Sequence, residues 1–410
     1  MVRNDRSIWI LASLIKLACP WYLGTLLHQV LLQPLLISIF LLAIVTLALL
    51  PVFDHNTLHR ASLPRSLFWP EPLREFKMNF PIPDELSHHV TFWKSVFGHY
   101  THRQIVLHDN TYPQVVYEIV DLDSAPGIGP SLKKYKRLLL SIHQKEQSKR
   151  LHTLTADEKR VYDLFAGITE KEKFRKAAQN RMRAQPGHRE SFIKAIRRSE
   201  VYQEKFEEIF RQYDLPIELT RIPFVESFFN PKARSYVGAA GLWQFMPATA
   251  RQYGLRVTKK IDERYDPFKS ADSAAQLLKA YYKMFQSWPL AITAYNHGPG
   301  GLQKAIKQLQ TTNFGEIATS YKGSNFGFYS RNYYAQFLAA TYIMIEPERY
   351  FGKFERLPSP HPDSVALHGD KSAIPNEGAV HQIIHRQIST ERPLYRVTLT
   401  AYPSRPGTES

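Results

Sequence analysis

The stretch LPIELTRIPFVESFFNPKARSYVGAAGLWQFMPAT, residues 215–249, decides the fold because it places a carboxylate on an apolar helix face. In a helix predicted over residues 217–229, Ile222 and Phe229 flank Glu226. Desolvation disfavours the charged form of a carboxyl group and raises its pKa, as a general acid near neutral pH requires. Glu226 is therefore the leading catalytic candidate, and the alternative is an ordinary half-buried glutamate paired with a lysine or arginine.

A helix break and a glycine-rich loop follow this acid. Asn230-Pro231 is a strong helix breaker, and the turn Gly238-Ala-Ala-Gly241 leads into LWQFMP. Glycine allows a backbone to approach a ligand closely. The order of acid, break and loop indicates a carboxyl group beside a binding surface.

Short motifs continue in order beyond the loop. They are ES at 226–227, FNP at 229–231, Ser235 nine residues after the acid, GLWQ at 241–244, the pair Asp266-Pro267 and AYN at 294–296. Over about residues 201–350 this order resembles the soluble lytic transglycosylase domain, glycoside hydrolase family 23. The form LPxELxxLPxxES of the catalytic helix is shared with the membrane-bound murein transglycosylases of the D type. The resemblance implies a mostly α-helical fold with a lysozyme-like (goose-type) catalytic domain.

The resemblance also implies roles for individual side chains. Glu226 acts first as the catalytic acid and then as the base. Ser235 contacts the substrate near the acid, Gln244 holds an acetamido group, and Tyr295 is hydrogen-bonded to the catalytic acid. The predicted substrate-binding residues are Ser227, Ser235, Gln244, Tyr295, Asn296 and Tyr333.

Each of these residues also has an ordinary structural interpretation. Ser227 can bond back to its own helix, a glutamine or asparagine can end a helix, and a tyrosine can fill a core. Trp243 is either a wall under the sugar or a core residue. Asp262 and Asp266 are interpreted as loop and helix-start residues rather than catalytic ones.

The number of acids in the motif region bears on the reaction. A glycosidic bond breaks through an oxocarbenium-like transition state, for which most glycosidases use two carboxylates. Between Glu226 and Asp262 the sequence contains no other acid. The resemblance implies that the N-acetyl group of N-acetylmuramic acid replaces the second carboxylate. It also implies that the 6-hydroxyl of this sugar closes a 1,6-anhydro ring while Glu226 takes its proton.

The predicted function is a peptidoglycan lytic transglycosylase that cleaves the β-1,4 bond between N-acetylmuramic acid and N-acetylglucosamine. One alternative is a hydrolytic muramidase, which needs a second carboxylate across the groove. Another is a non-catalytic peptidoglycan-binding protein, for which an intact Glu226 is unnecessary.

The sequence departs from the family pattern at one place. The family usually has a Glu-Thr pair four residues before a tyrosine on the last helix. Here the stretch reads YSRNY, with Tyr329 and Ser330 in place of the pair and Tyr333 retained. The departure concerns recognition of the stem peptide more than bond cleavage.

Composition excludes several other classes of protein. The 410 residues carry a formal charge of +16, which suits nucleic acid, an anionic membrane surface or an acidic polymer. No phosphate-binding GxxxxGK[ST], zinc-type Cys/His spacing or RNP motif occurs, so we expect no nucleic acid, metal or cofactor. Cys19 is the only cysteine, which excludes internal disulfides. A weak lipobox at this cysteine is disfavoured by Lys16 and Pro20.

Residues 34–53, PLLISIFLLAIVTLALLPVF, are uncharged and long enough to cross a bilayer. Basic residues before them favour a cytoplasmic N-terminus. The simplest topology is a single-pass anchor in the cytoplasmic (inner) membrane with the catalytic domain in the periplasm. The alternative is a helical hairpin that includes the apolar residues 8–32 and returns the catalytic part to the cytoplasm.

The predicted organisation has five parts. They are a membrane anchor at 1–55, a Pro-rich extended linker at 56–83, a helical accessory region at 84–200, the catalytic domain at 201–352 and a tail of unknown role at 353–410.

Predicted elements lie within these parts. The accessory region contains residues 114–122, which suit a strand or a buried helix, and charged amphipathic helices over 132–213. Its basic run at 171–183 is interpreted as a solvated helix face or a contact for acidic polymers. Helices are predicted over 271–285, after a start at Asp266-Pro267, then from Trp288 and lastly over 332–345. A further strand is predicted over 394–401.

Overall fold

The computed structural model of the chain describes residue 76 and residues 78–353. The predicted membrane span, Cys19, and the tail beyond residue 353 with its predicted strand lie outside the described residues. Among the helices within the described ranges, none has the length and hydropathy needed to cross a bilayer.

Helices dominate the described chain, as predicted. The α-helices are α1 (Ser87–Gly98), α2 (Gly129–Gln147), α3 (Ala156–Asp163), α4 (Lys173–Lys176), α5 (Arg189–Ser199), α6 (Gln203–Gln212), α7 (Ile222–Glu226), α8 (Pro247–Gln252), α9 (Pro267–Phe285), α10 (Trp288–His297), α11 (Pro299–Leu309), α12 (Phe314–Ser320), α13 (Phe328–Ile345) and α14 (Pro347–Phe351). Short 3₁₀ helices lie at Asp84–Leu86, Leu151–Thr153, Ile217–Arg221 and Glu263–Tyr265, and a π-helix lies at Ala177–Arg181. The strands are β1 (Gln104–Asp109), β2 (Val116–Asp121) and β3 (Met182–Pro186).

The helix starts predicted from proline are confirmed. Asp266 caps α9, since its carboxylate accepts hydrogen bonds from the backbone N–H groups of Phe268 and Lys269, both at 3.0 Å. Pro267 occupies the first helical position, where its missing N–H costs nothing. Helix α10 begins at Trp288, also as predicted, and it ends at His297.

Helix α13 forms the centre of the catalytic part and differs from its prediction at both ends. It begins at Phe328 rather than residue 332, and α14 follows it, so it is not the last helix. The first turn, residues 328–331, shows no apolar periodicity that would predict a helix. Arg331 donates to the carbonyl of Ala318 at 2.9 Å and so anchors this turn. Further along, Tyr334 and Phe337 are both buried, as expected for a central helix.

The accessory region contains a sheet and is therefore not purely helical, which corrects the prediction. The strand order is β2-β1-β3, with both pairs antiparallel. Residues 114–122, which suited either structure, contain β2. Strand β3 lies where only helices were predicted, because its sequence MRAQP shows no alternation and forms a strand by pairing with β1.

Part of the accessory region shares the core of the catalytic part. Trp93 on α1 is buried and donates from Nε1 to Asn332 Oδ1 on α13 at 2.8 Å. Phe192 on α5 stacks on Phe224 of α7 with ring centroids 5.0 Å apart. Helices α2 to α4 instead form a second cluster with the sheet, around Phe165. Helices α1 and α5 of the accessory region therefore pack against the predicted catalytic part.

The basic run at 171–183 is largely used inside the accessory region. Arg181 is 7% exposed and pairs with Glu170 at 2.6 Å and Asp109 at 3.5 Å. Lys176 pairs with Glu170 at 2.8 Å, and Lys173 donates to backbone carbonyls. Neither interpretation of the run as an open basic face holds for these side chains, because they are paired within the region.

The end of the predicted linker packs on the core. Phe76 and Phe80 are buried, and Phe80 lies against Trp288 and Phe337 at centroid distances of 5.9 and 5.3 Å. The hydroxyl of Tyr334 donates to the carbonyl of Pro81 at 2.9 Å. From Phe76 onward this segment is therefore part of the folded core rather than an extended linker.

Candidate active site

Glu226 is the last residue of α7. The predicted helix over 217–229 is instead a 3₁₀ helix at Ile217–Arg221 followed by α7, and it ends three residues early. Phe228 and Phe229 have φ of 49° and 52°, in the left-handed region that costs a non-glycine residue free energy. Phe229 is nevertheless buried against Phe224, with ring centroids 4.6 Å apart. The strained turn thus holds the acid at the end of its helix.

The surroundings of Glu226 favour its protonated form. Burial raises the pKa of Glu226 to about 7, and the hydrogen bond that Tyr333 donates partly offsets this rise. Within the described part of the chain, Glu226 forms no ion pair, which contradicts its interpretation as a salt-bridged glutamate. As a whole residue, Glu226 is half-buried rather than fully enclosed.

Two tyrosines flank this carboxyl group, and the hydrogen bond predicted for Tyr295 comes from Tyr333 instead. Tyr333, on α13, donates its hydroxyl to Glu226 Oε1 at 2.5 Å. Tyr295, on α10, was expected to do so but donates to the carbonyl of Trp243 at 2.7 Å. Burial raises the pKa of Tyr295, and the nearby charge of Glu226 raises it further, so Tyr295 still lies beside the acid.

The predicted residues of the loop are held mainly by the loop itself. Ser227 donates from Oγ to the carbonyl of Leu242 at 2.8 Å, which joins the acid's helix to GLWQ. Ser235 Oγ accepts a hydrogen bond from the N–H of Ala239 at 2.9 Å. Gln244 donates from Nε2 to the carbonyl of Gly241 at 2.8 Å. These contacts shape the backbone around Glu226.

Asn296 is exposed at the end of α10, next to the start of α13. Its Oδ1 accepts a hydrogen bond from Ser330 Oγ at 3.3 Å, and His297 Nδ1 lies 3.2 Å from the same hydroxyl. The YSRNY departure therefore lies beside Asn296, and Tyr329 is 46% exposed there.

Gly241, which was predicted, and Arg264, which was not, organise the loop. Arg264 is buried and donates from Nη1 to the carbonyls of Gly238 at 2.6 Å and Phe245 at 2.9 Å. At Gly241, with φ of 78°, an added Cβ would lie 1.9 Å from the carbonyl oxygen of Arg264. The predicted close backbone approach thus exists, but to another loop. For the role of Arg264, the sequence offered one signal, an arginine two residues after Asp262.

The other acids near the motif region have structural partners. Asp262 pairs with Arg264 at 2.7 Å and Asp266 caps α9, which confirms both interpretations. Glu263 pairs with Arg256 and Lys269, both at 2.7 Å. Among the described residues, no charged side chain contributes to the pKa shift of Glu226. Within the same described residues, no cluster of His, Cys, Asp or Glu side chains is arranged to hold a metal ion.

Trp243 is a core residue. It is buried and stacks on Phe210 with ring centroids 5.5 Å apart and an interplanar angle of 15°. The interpretation of its ring as a wall under a sugar is therefore wrong, and its contribution to the site is the carbonyl that accepts from Tyr295.

Comparisons with known proteins give the family model and the relatives that the chain resembles. Residues 206–317 match the family model described as the transglycosylase SLT domain. The chain is 32% identical over 194 residues to membrane-bound lytic murein transglycosylase D of Escherichia coli, covering 46% of this chain and 40% of that protein. It is 38% identical over 117 residues to peptidoglycan transglycosylase gp16 of Escherichia phage T7, covering 28% of this chain and 8% of that protein.

Among solved structures, the 70 kDa soluble lytic transglycosylase of Escherichia coli is 24% identical and aligns over 33% of this chain and 24% of its own, with a TM-score of 0.29. This chain thus spans less than half the length of the relatives that it matches. The family model includes Glu226 and Tyr295 but ends before Tyr333.

Proposed function

We propose that this chain, whose residues 206–317 form a transglycosylase SLT domain, is a peptidoglycan lytic transglycosylase. Its reaction would cleave the β-1,4 bond between N-acetylmuramic acid and N-acetylglucosamine and leave a 1,6-anhydromuramyl end. The observation that carries the proposal is the carboxyl group of Glu226, whose pKa is raised to about 7.

The raised pKa suits both steps of this reaction. Near neutral pH a large share of Glu226 is protonated and can donate to the glycosidic oxygen as the bond breaks. The resulting carboxylate then accepts the proton of the muramyl 6-hydroxyl, which closes on the anomeric carbon. A pKa close to the ambient pH makes the same group effective as acid and as base. Tyr333 holds the carboxyl group in place through its hydrogen bond.

The absence of a second available acid favours ring closure over hydrolysis. A retaining glycosidase needs a second carboxyl group about 5–5.5 Å from the first, and an inverting one needs it about 6.5–9.5 Å away. In the described chain, Asp262 and Glu263 form ion pairs, Asp266 caps a helix, and Asp272 accepts hydrogen bonds from Tyr213 and Gln276. The substrate's N-acetyl group would therefore stabilise the muramyl cation. The hydrolytic muramidase remains the second candidate.

The binding and architectural assignments belong to the same proposal. Ser235, Gln244 and Asn296 border the acid's loop and would contact the sugars. The domain would have the lysozyme-like (goose-type) fold. Two of the relatives are named membrane-bound lytic murein transglycosylases, D and F, and residues 34–53 would anchor this chain in the inner membrane, with the catalytic domain in the periplasm.

Mass spectrometry of digested sacculi tests the proposal. The fragment beginning at residue 63 is expected to release anhydro-muropeptides, each one water lighter than the hydrolysis product. Glu226→Gln keeps the side-chain shape but removes proton transfer, so release should fall at least about a hundredfold. Glu204→Gln, the same change on the exposed surface of α6, should retain activity.

Three results would contradict parts of the proposal. Hydrated ends instead of anhydro ends would indicate the muramidase. Binding to sacculi without any product would indicate the non-catalytic protein. Equal release by wild type and Glu226→Gln would remove Glu226 from the chemistry.

A further inference from the structure

Strand β3 of the accessory region brings one arginine to the start of α13. The guanidinium carbon of Arg183 lies 4.0 Å from the ring centroid of Phe328 and 5.1 Å from that of Tyr329. Tyr329 precedes Tyr333 by four residues, so the two side chains share one helix face about 6 Å apart along the axis. Arg183 therefore contacts a tyrosine that lies one helical turn before the tyrosine that holds Glu226.

The charge of Arg183 has no partner within the described residues. Its side chain forms no ion pair or hydrogen bond there, and its Nε is buried without an acceptor. Opposite Arg183 on β1 is His108, and burial lowers the pKa of His108 to about 3, with the charge of Arg183 acting in the same direction. Arg181, two residues earlier, pairs with both Asp109 and Glu170.

The start of α13 adds to this positive potential. Its N-cap, Gly327, offers no side-chain acceptor, and its first turn contains no acid. Unsatisfied N–H groups at a helix start favour a nearby anion. This chain therefore has a net positive site at that position.

Exposed aromatic rings border the same place. Tyr329 is 46% exposed and Tyr236, on the loop that follows Glu226, is 73% exposed. Burial raises the pKa of Tyr236, and the hydroxyl of Tyr329 is close enough to raise it further. A ligand that reaches Arg183 would therefore meet the loop beside the acid as well as α13.

We propose that Arg183, with the first turn of α13, binds a carboxylate of the stem peptide that the substrate carries beside the scissile bond. The inference rests on the proposed function and makes the accessory region part of the substrate site. The rings of Phe328 and Tyr329 leave the Nη N–H groups of Arg183 without an acceptor among the described residues, and these groups match a carboxylate with two parallel hydrogen bonds. Arg183 determines specificity here and takes no part in bond cleavage.

Two substrates separate this role from a structural one. Intact sacculi carry stem peptides, whereas glycan strands treated with an amidase do not. Arg183→Gln should lower kcat/KM about tenfold on the peptide-bearing substrate and leave it within about twofold on stripped strands. Arg183→Lys keeps the charge but loses the planar guanidinium. Its kcat/KM on the peptide-bearing substrate should therefore lie between those of wild type and Arg183→Gln. Arg137→Gln, on the exposed surface of α2, removes the same charge elsewhere and should match wild type on both substrates.

Other outcomes would overturn the proposal. An equal loss on both substrates would make Arg183 a structural residue, and no loss on either would give it no role. Thermal unfolding of each variant shows whether the fold is intact, and Arg183→Lys provides the test if Arg183→Gln is unstable.

Binding distinguishes this proposal from the proposed function. The Glu226→Gln variant should bind peptide-bearing strands about tenfold more tightly than the double variant with Arg183→Gln, and both should bind stripped strands equally. If wild type makes no anhydro ends but this binding difference persists, the proposed function fails and the carboxylate site stands. If anhydro ends form and Arg183 changes neither binding nor rate, only the carboxylate site fails.

Discussion

Glu226 keeps its proton near neutral pH because burial penalises the carboxylate more than Tyr333 stabilises it. The sequence predicted the acid because its helical neighbours are apolar. The resemblance assigned the hydrogen bond on the acid to Tyr295, whereas Tyr333 donates it and Tyr295 donates to the Trp243 carbonyl. That choice depends on ring orientations set by packing of α10 against α13, which no local pattern encodes.

The raised pKa predicts a pH-dependent stability difference between wild type and Glu226→Gln. Below about pH 4.5 the glutamate is protonated in both the folded and unfolded states, so the group contributes no pH dependence. As pH rises toward about 7, the unfolded state ionises first, and the folded wild type loses stability relative to the glutamine variant. The difference should grow by up to roughly 3 kcal/mol. Urea unfolding of both proteins from pH 4 to 8 measures it, and a constant difference would contradict the buried acid.

Tyr333→Phe and Tyr295→Phe should affect the acid differently. Removing the Tyr333 hydroxyl deletes the hydrogen bond that favours the carboxylate, so the pKa of Glu226 should rise further. The basic limb of the pH profile of kcat/KM should then move to higher pH, with a loss of rate on the order of tenfold. Tyr295→Phe deletes a bond to the Trp243 carbonyl instead. Tyr295→Phe should lower the rate without shifting the pH profile. Identical pH profiles for the two variants would contradict the assignment of the hydrogen bond on Glu226 to Tyr333 alone.

The loop between α7 and α8 is shaped by contacts that sequence patterns only partly reveal. The sequence predicted the glycine-rich turn of this loop, the helix break after α7 and the start of α9. The early end of α7 was not, because Phe228 and Phe229 are poor candidates for left-handed φ and continue an apolar helical pattern. Burial of the Phe229 ring compensates for this strain. Strand β3 was likewise missed, since its pairing with β1 is a tertiary contact.

Two glycines of this loop provide a matched pair of variants. Gly241→Ala would place Cβ 1.9 Å from the Arg264 carbonyl oxygen, whereas Gly238→Ala would meet nothing within 4 Å. Both have positive φ, so Gly238→Ala should cost about 1–2 kcal/mol in unfolding free energy. Gly241→Ala should cost about 2–5 kcal/mol and reduce activity strongly, because the loop must shift away from Glu226. Denaturant unfolding and muropeptide release measure the two effects, and equal costs would show that the close approach is unimportant.

At the scale of the whole molecule, the predicted boundary at residue 200 passes through a shared core. Trp93 and Phe97 on α1 lie in the same hydrophobic cluster as α13, and Phe80 lies there as well. The predicted division followed the extent of the resemblance, about residues 201–350, which does not report which helices bury which faces. The consequence is that α13, the partner helix of Glu226, depends on residues that precede the match to the family model at 206–317.

The last prediction concerns which fragment of the chain folds. A fragment of residues 201–352 keeps every predicted site residue but removes the rings that cover α13, leaving Phe337 and the Trp93 acceptor Asn332 without their partners. Loss of even one buried aromatic side chain costs about 3–5 kcal/mol, comparable to the stability of a small domain. This fragment should therefore be unfolded or aggregated, whereas residues 70–353 should unfold cooperatively and retain activity. Phe80→Ala in the longer fragment should lower stability by about 3–5 kcal/mol, and Met78→Ala, at a side chain that is 76% exposed, should change it little. A shorter fragment with cooperative unfolding and wild-type muropeptide release would show that the catalytic part has a core of its own.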